Sequence, residues 1–409
     1  MTGARCRNCG APLTATFADL GMSPLSNAFI RPAEASRMEP FYPLHAWVCG
    51  TCRLVQLEEF ESPEHIFNDY FYFSSFSESW LRHAETYAKA MTARFGLGAG
   101  STVVEVASND GYLLQYFKAQ GCRILGVEPA ANVAAVAEKK GVPSVVAFFG
   151  RDTATRLRAD GFAADQMAAN NVLAHVPDLN DFIAGFAILL KPGGVATFEF
   201  PHLLRQIEHT QFDTIYHEHF SYLSLHVVQR LFKAHGLRVF DVDELPTHGG
   251  SLRVFACLEA APHTVEPAVA SVLTKEAAAG LEDAAVYAAF AAQVVRIKLD
   301  LLRFLIDAQT AGKRVAAYGA PAKGNTLLNY CGVGPELIAF TVDRSPHKQN
   351  TLLPGTRIPV RAPDAILQEK PDYVLVLPWN LKDEITQQMH AIRQWGGKFV
   401  VPIPSLQVF

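Results

Sequence analysis

The sequence predicts an α/β protein in three parts: a small cysteine-bearing module followed by two Rossmann-like α/β domains. Three observations carry that expectation. Two Cys-x-x-Cys pairs stand near the start, Cys6 with Cys9 and Cys49 with Cys52. Two stretches, 102–200 and 314–401, alternate short β-branched runs with amphipathic helical ones, the pattern of parallel sheets covered by helices. At 409 residues the chain is also too long for one ordinary core. The expected boundaries are 1–75, 76–262 and 263–409.

Composition narrows the class. With 49% hydrophobic and 19% charged residues the chain reads as globular. A net charge of −4, with Lys and Arg scattered, speaks against a nucleic-acid partner. No apolar run reaches about 18 residues, so no membrane span is expected. The chain enters Cys6 and Cys9 without an apolar signal region, so a reducing, cytoplasmic location is expected. There, the paired cysteines read as thiolate ligands and not as disulfides. Gly10 and Gly50 give each pair a knuckle turn. Two knuckles complete a four-sulfur zinc site with no position left for water, hence a structural one. Cys122, Cys257 and Cys331 stand alone in apolar surroundings and read as core residues.

In the middle part a helix is expected over Glu78–Phe95, then strands and helices alternate. Strands are expected at Thr102–Ala107, Ile124–Val127, Val145–Phe148, Asp165–Ala169 and Val195–Phe200. Helices are expected from Gly111, near Val133–Lys140 and over Leu179–Leu190. Leu190–Gly194 reads as a helix stop and turn. Ligands of such sheets lie beyond the carboxyl ends of the strands, and polar residues gather there. Glu105, Ala107, Ser108, Asn109, Asp110 and Gly111 follow the first strand, with Gly111 expected to let the backbone approach a ligand. Glu128 and Pro129 close the second strand, where a carboxylate accepts both hydroxyls of an unphosphorylated ribose. Asn170, Asn171 and His175 follow the fourth. The strict Gly-x-Gly-x-x-Gly of pyrophosphate binders is missing, which fits a cofactor without phosphates, such as S-adenosylmethionine.

Downstream lies Tyr216-His217-Glu218-His219. Burying so many titratable groups unpaired is costly, whereas abstracting a proton beside a carbonyl needs a positioned base with orienting partners. The C-terminal part begins with helices over Lys275–Gln309, whose apolar positions around Val294–Leu302 suit packing along a domain junction. Strands follow at Arg314–Tyr318, Ile338–Val342, Tyr373–Leu377 and Phe399–Val401. The loop Gly319–Gly324 has the glycine spacing of a phosphate cradle, but Asn325 stands where a P-loop has Lys, so ATP hydrolysis is a poor reading. Lys323 at a helix start suits a phosphate, and packing by its glycines serves equally well.

These motifs resemble, in order along nearly the whole chain, the S-adenosylmethionine-dependent sugar C-methyltransferases of deoxysugar biosynthesis. The likeness rests on the cysteine knuckles, the aromatic run Tyr70–Ser75, Glu105–Gly111, Asn171–Val176 and Tyr216–Tyr222. His248–Arg253 and Tyr318–Gly324 extend it. The resemblance implies a class I methyltransferase as the central domain, flanked by a zinc module and a nucleotide-fold domain. It implies methylation of carbon 3 in a dTDP-linked 4-keto sugar, bound between domains. It also implies that Tyr70, His175, Tyr216, Glu218 and His219 form the active site, Tyr72 being an alternative to Tyr70. His219 is the expected base, Glu218 its orienting partner, and the tyrosines donors to an oxyanion. Lys323, Gly324, Asn325 and Arg253 are the expected substrate contacts, and the zinc is expected to lie away from the chemistry. The rivals are methylation of RNA or protein, a scaffold without activity and, last, an NAD-dependent C-terminal domain, whose loop lacks the dinucleotide fingerprint.

Overall fold

The computed structural model describes residues 4–62 and 73–409, so Tyr70 and Tyr72 lie outside the described residues. Three sheets organise the chain. The first is antiparallel, in the order β1 (Ala15–Ser23), β2 (Tyr42–Val48), β3 (Val55–Leu57), β9 (Ser221–Tyr222). Its last strand does not come from the N-terminal module. It follows directly on the Tyr-His-Glu-His tetrad, and Val55 pairs with Tyr222 and Gln56 with Ser221.

The central sheet has seven strands. They are β4 (Thr102–Val106), β5 (Arg123–Val127), β6 (Ser144–Val145), β7 (Ala164–Asn170), β8 (Leu190–Pro201), β10 (Leu237–Leu245) and β11 (Ser251–Leu258). The order is β10-β11-β8-β7-β4-β5-β6, with β11 antiparallel to both neighbours and the rest parallel. Strand order therefore reverses between β4 and β7, the crevice where ligands of such sheets bind. The segment Lys191–Gly194 is not a free turn. It belongs to β8, and the register jumps from Ala164↔Leu190 to Gln166↔Val195.

The helix Glu78–Phe95 covers this sheet. Ser77 caps it by accepting from Trp80 N, and Gly96, at φ +62°, ends it in a left-handed turn. Its buried Ala84, Tyr87, Ala88 and Met91 fall at the spacing of one helical face.

The C-terminal sheet is formed by β12 (Val315–Tyr318), β13 (Thr341–Val342), β14 (Thr351–Leu352), β15 (Pro359–Arg361), β16 (Tyr373–Val376), β17 (Lys398–Val401) and β18 (Gln407–Val408). Its order is β14-β15-β13-β12-β16-β17-β18, centred on β12, which lies parallel to β13 and β16. A second reversal of strand order thus falls beside Gly319–Lys323. The helix Ala284–Thr310 joins the parts, burying Tyr287, Phe290, Val294, Ile297, Leu301 and Leu305 along one stripe. Phe290 stacks on Phe17 of β1 at 4.2 Å, so the N-terminal module and the C-terminal domain share one core. Cys122, Cys257 and Cys331 are buried. No helix among the described residues is long and apolar enough to cross a membrane.

Candidate active site

The four knuckle cysteines converge, with their sulfurs all within 4.8 Å of one another. Cys6 and Cys52 sulfurs lie 3.5 Å apart and those of Cys9 and Cys49 3.6 Å. A tetrahedral ion with Zn–S bonds near 2.3 Å requires edges of about 3.8 Å, so the set fits zinc. The surroundings favour thiolates. Gln56 Nε2 donates to Cys6 Sγ at 3.2 Å, and the amides of Thr51 and Cys52 point at Cys49 Sγ.

At the first strand-order reversal the backbone is strained. Ala107, Asn109 and Asn171 all adopt left-handed conformations, with φ of 56°, 48° and 54°. Such strain clusters at functional sites, held by surrounding structure. Around it sit buried polar atoms with no hydrogen-bond partner among the described residues: Ser108 Oγ, Asp110 Oδ1 and both ends of the Asn171 amide. The buried Glu105 and Asn170 face the Tyr112 hydroxyl. Burial pushes the Glu105 carboxyl well above the usual range. Glu128 accepts from the amides of Asn109 and Ala130, each at 2.9 Å, and burial raises it as well. Gly111 stands in the same loop at φ +77°, a left-handed conformation that glycine adopts without cost. A Cβ there would also stand 2.9 Å from Val142, which follows the helix Ala131–Lys139, so the close packing needs glycine as well. The end of the aromatic run is tied to the same loop, because Ser74 N donates to Asn109 and Lys140 bridges Ser75 and Asp110.

The tetrad lies beside this cradle. His219 Nδ1 faces the Thr214 carbonyl at 3.0 Å and its Nε2 faces the Tyr216 hydroxyl at 2.7 Å. A carbonyl only accepts, so Nδ1 carries the proton and Nε2 presents a lone pair to the phenol. The His175 ring stands 4.7 Å from His219, and it is bonded to the Glu218 backbone carbonyl. Burial keeps both imidazoles neutral. It draws His175 down to about 4, and His219, with His175 beside it, well below the usual range. Glu218 is buried, which raises its carboxyl, and it accepts from Asn27 Nδ2 at 2.7 Å. His217 points away to the Pro43 carbonyl at 3.2 Å.

The C-terminal domain closes the other side. Lys323 lies 4.6 Å over the Trp379 ring and donates to Asn380 at 2.8 Å. Trp379 Nε1 donates to Asp213 Oδ2 at 2.7 Å, two residues before the tetrad's own support at Ile215, whose carbonyl accepts from Thr326. Burial lifts Asp213 to about 6 against the pull of Lys323. Asn325 is engaged elsewhere, donating to the Ser26 carbonyl at 2.6 Å, and Gly324 packs against Leu377. Arg253 is buried inside the central sheet, where its guanidinium meets Glu199 at 2.9 Å and His83 at 3.1 Å.

Sequence reasoning passed over several residues that the fold brings here. Asn27 comes from the N-terminal module. Glu199 follows from its register opposite Asn170, and a carboxylate at a parallel strand's end was the signal. Trp80 stacks on His83 and Tyr112. His248, at φ 55°, stands among the same groups, and desolvation with Lys323 nearby draws its imidazole down to about 4. A cavity of about 590 Å³ opens at the opposite, amino end of the sheet, lined by Arg94, Asp165, Phe240 and His263 among others. Two of its ionic groups are paired, Arg94 with Asp241 and Asp165 with Lys191.

Comparison with known proteins decides the class. The chain is 37% identical to the C-methyltransferase NovU of Streptomyces niveus, over 98% of this chain and 96% of that one. It belongs to the C-methyltransferase family. Three family models match in order: "Putative zinc binding domain" over 6–67, "Methyltransferase domain" over 80–242 and "C-methyltransferase C-terminal domain" over 246–404. Solved structures align over less of the C-methyltransferase. PH0226 of Pyrococcus horikoshii OT3 is 14% identical at a TM-score of 0.36, covering 49% of this chain and 99% of its own. The magnesium protoporphyrin IX methyltransferase of Synechocystis PCC 6803 with bound SAH is 13% identical at 0.35, covering 43% and 82%. The enzyme is thus an S-adenosylmethionine-dependent C-methyltransferase with a four-cysteine zinc-binding module.

Proposed function

We propose that this C-methyltransferase methylates carbon 3 of a nucleotide-linked 4-keto deoxysugar, with dTDP as the nucleotide. The observation that carries the reading is the buried chain from the Thr214 carbonyl through His219 to the Tyr216 hydroxyl. O- and N-methylation start from atoms with lone pairs, whereas carbon beside a ketone must first lose a proton. A neutral imidazole with its tautomer fixed, held next to a phenol and a second imidazole, suits that task. The sugar and its nucleotide rest on the motif resemblance and on Lys323, set at the second strand-order reversal.

In this reading Glu105, Ala107, Ser108, Asn109, Asp110, Gly111, Glu128, Pro129, Asn170 and Asn171 hold S-adenosylmethionine. The unpartnered oxygens and amide of that cradle match its amino-acid and ribose groups. When bound, the cofactor supplies an electrophilic methyl. The chain's own residues do the rest. His219 Nε2 takes the proton from carbon 3, its positive charge opposed by burial and therefore short-lived. The Tyr216 hydroxyl, turning from His219 Nε2 as that atom takes up the proton, donates to the oxygen on which negative charge collects, while His175, whose N–H is held by the Glu218 carbonyl, lines the cleft beside it. Glu218 orients the tetrad, and Lys323 faces the phosphates. The work is placed in the cytoplasm, in deoxysugar supply for antibiotic biosynthesis. A screen of NDP-4-keto sugars with methyl-labelled S-adenosylmethionine tests the proposal. Label entering protein or RNA, with no sugar labelled, would overturn it.

A further inference from the structure

Glu218 faces a different set of partners from the rest of the tetrad. The residue is only 7% exposed, and Asn27 Nδ2 donates to one carboxylate oxygen at 2.7 Å. Around it stand His175, which bonds the Glu218 backbone carbonyl, the adjoining His219, and Lys348 of the C-terminal domain. Lys348 is shared, since it also donates to the Ala320 carbonyl at 2.9 Å and lies 4.0 Å from Asp343. Asn27 is the neutral donor in direct contact. Asn27 itself is exposed, so burial in a core does not explain it. The turn that carries it is held from both flanks. Ala28 N donates to the Leu25 carbonyl, and the Ser26 carbonyl accepts from Asn325 Nδ2 at 2.6 Å. A carboxylate in a desolvated place reverts to the neutral acid unless hydrogen bonds favour its charge.

We infer that Asn27, contributed by the N-terminal module, is a positioning residue that keeps Glu218 ionised and aimed into the cleft. The inference rests on the proposed role of the tetrad. Its consequence is that the zinc-binding module forms one wall of the active site through a side chain, and not only through the sheet that it shares with β9.

The experiment reads Glu218 directly and turnover separately. The protonated-carboxyl infrared band of full-length enzyme, assigned by its loss in Glu218→Gln, is titrated in wild type, Asn27→Leu and Asn27→Ser. In Asn27→Leu the band should appear at a pH higher by about one to two units, because a hydrogen bond to a charged group is worth roughly 1.5–3 kcal/mol. Asn27→Ser, which keeps a short donor, should move part of the way back. S-adenosylmethionine affinity should stay at the wild-type value while turnover falls about tenfold or more. Should Asn27→Leu fail to fold, the isosteric Asn27→Asp replaces it. Two carboxyls then share a proton, and turnover should rise as pH is lowered. An unmoved Glu218 titration in the folded variants would overturn the inference. A shifted titration with turnover unchanged would leave the contact and remove the tetrad's proposed role.

Discussion

Replacing His219 by Asn removes the lone pair at Nε2 and little else. The new amide can still donate to the Thr214 carbonyl, as Nδ1 does at 3.0 Å, so the loop keeps that tie. The Tyr216 hydroxyl loses its acceptor at 2.7 Å, which costs about 1 kcal/mol of stability for a neutral, part-buried bond. The chemistry loses more. A general base contributes about 10²–10⁴-fold, or roughly 2.7–5.5 kcal/mol of barrier at 1.36 per factor of ten. His219→Asn should therefore remain folded and bind both ligands while turnover falls by that range. Two assays separate the effects. Methyl transfer from labelled S-adenosylmethionine gives the rate, and deuterium wash-in from heavy water, with S-adenosylhomocysteine in place of the cofactor, reports proton removal alone. Both should fall together. Near-wild-type turnover in the folded variant would refute the assignment and move the base to His175 or a tyrosine.

Cys6→Ser should lower the zinc content from about one ion per chain and impair folding; elemental analysis of fresh protein checks it, and a Cys6–Cys9 disulfide without zinc would refute it. Glu128→Ala removes the acceptor proposed for the ribose and two backbone contacts at 2.9 Å. Cofactor affinity in calorimetry should drop by about 1.5–3 kcal/mol, and unchanged affinity would place the ribose elsewhere. Lys323→Ala should raise KM for the nucleotide sugar and leave cofactor binding alone; an unaltered substrate dependence would return that loop to packing.

Local periodicity made the regular elements legible. The helix Glu78–Phe95 falls where its spacing and its Ser77 cap place it, and β4, β5, β7 and β16 lie within a residue or so of their apolar runs. Those runs are buried on both faces, so nothing in them competes with strand. The pairing of elements distant in sequence was less legible. β10 and β11 return antiparallel to the central sheet, and β9 is only two residues long. So short a segment carries no periodicity; its place is set by the edge of β3. The site shows the same division. Side chains bunched in sequence, such as the tetrad and Glu105–Gly111, announce themselves. Asn27 and Glu199 act through partners 191 and 54 residues away, and no spacing rule connects them.

The strand β9 also sets the terms on which this enzyme can be cut and recombined. Family relatives invite chimaeras in which one part is exchanged to change the acceptor. A splice at residue 62 or 76 would separate β3 from β9, and Asn27 from Glu218, although the chain looks divisible there. Ser26 and Asn325 face the same problem across the whole length of the sequence. A graft that respects the molecule must move the Leu25–Phe29 turn together with the helix that receives it. Otherwise the hybrid inherits a cofactor cradle from one parent and a misaligned tetrad from the other.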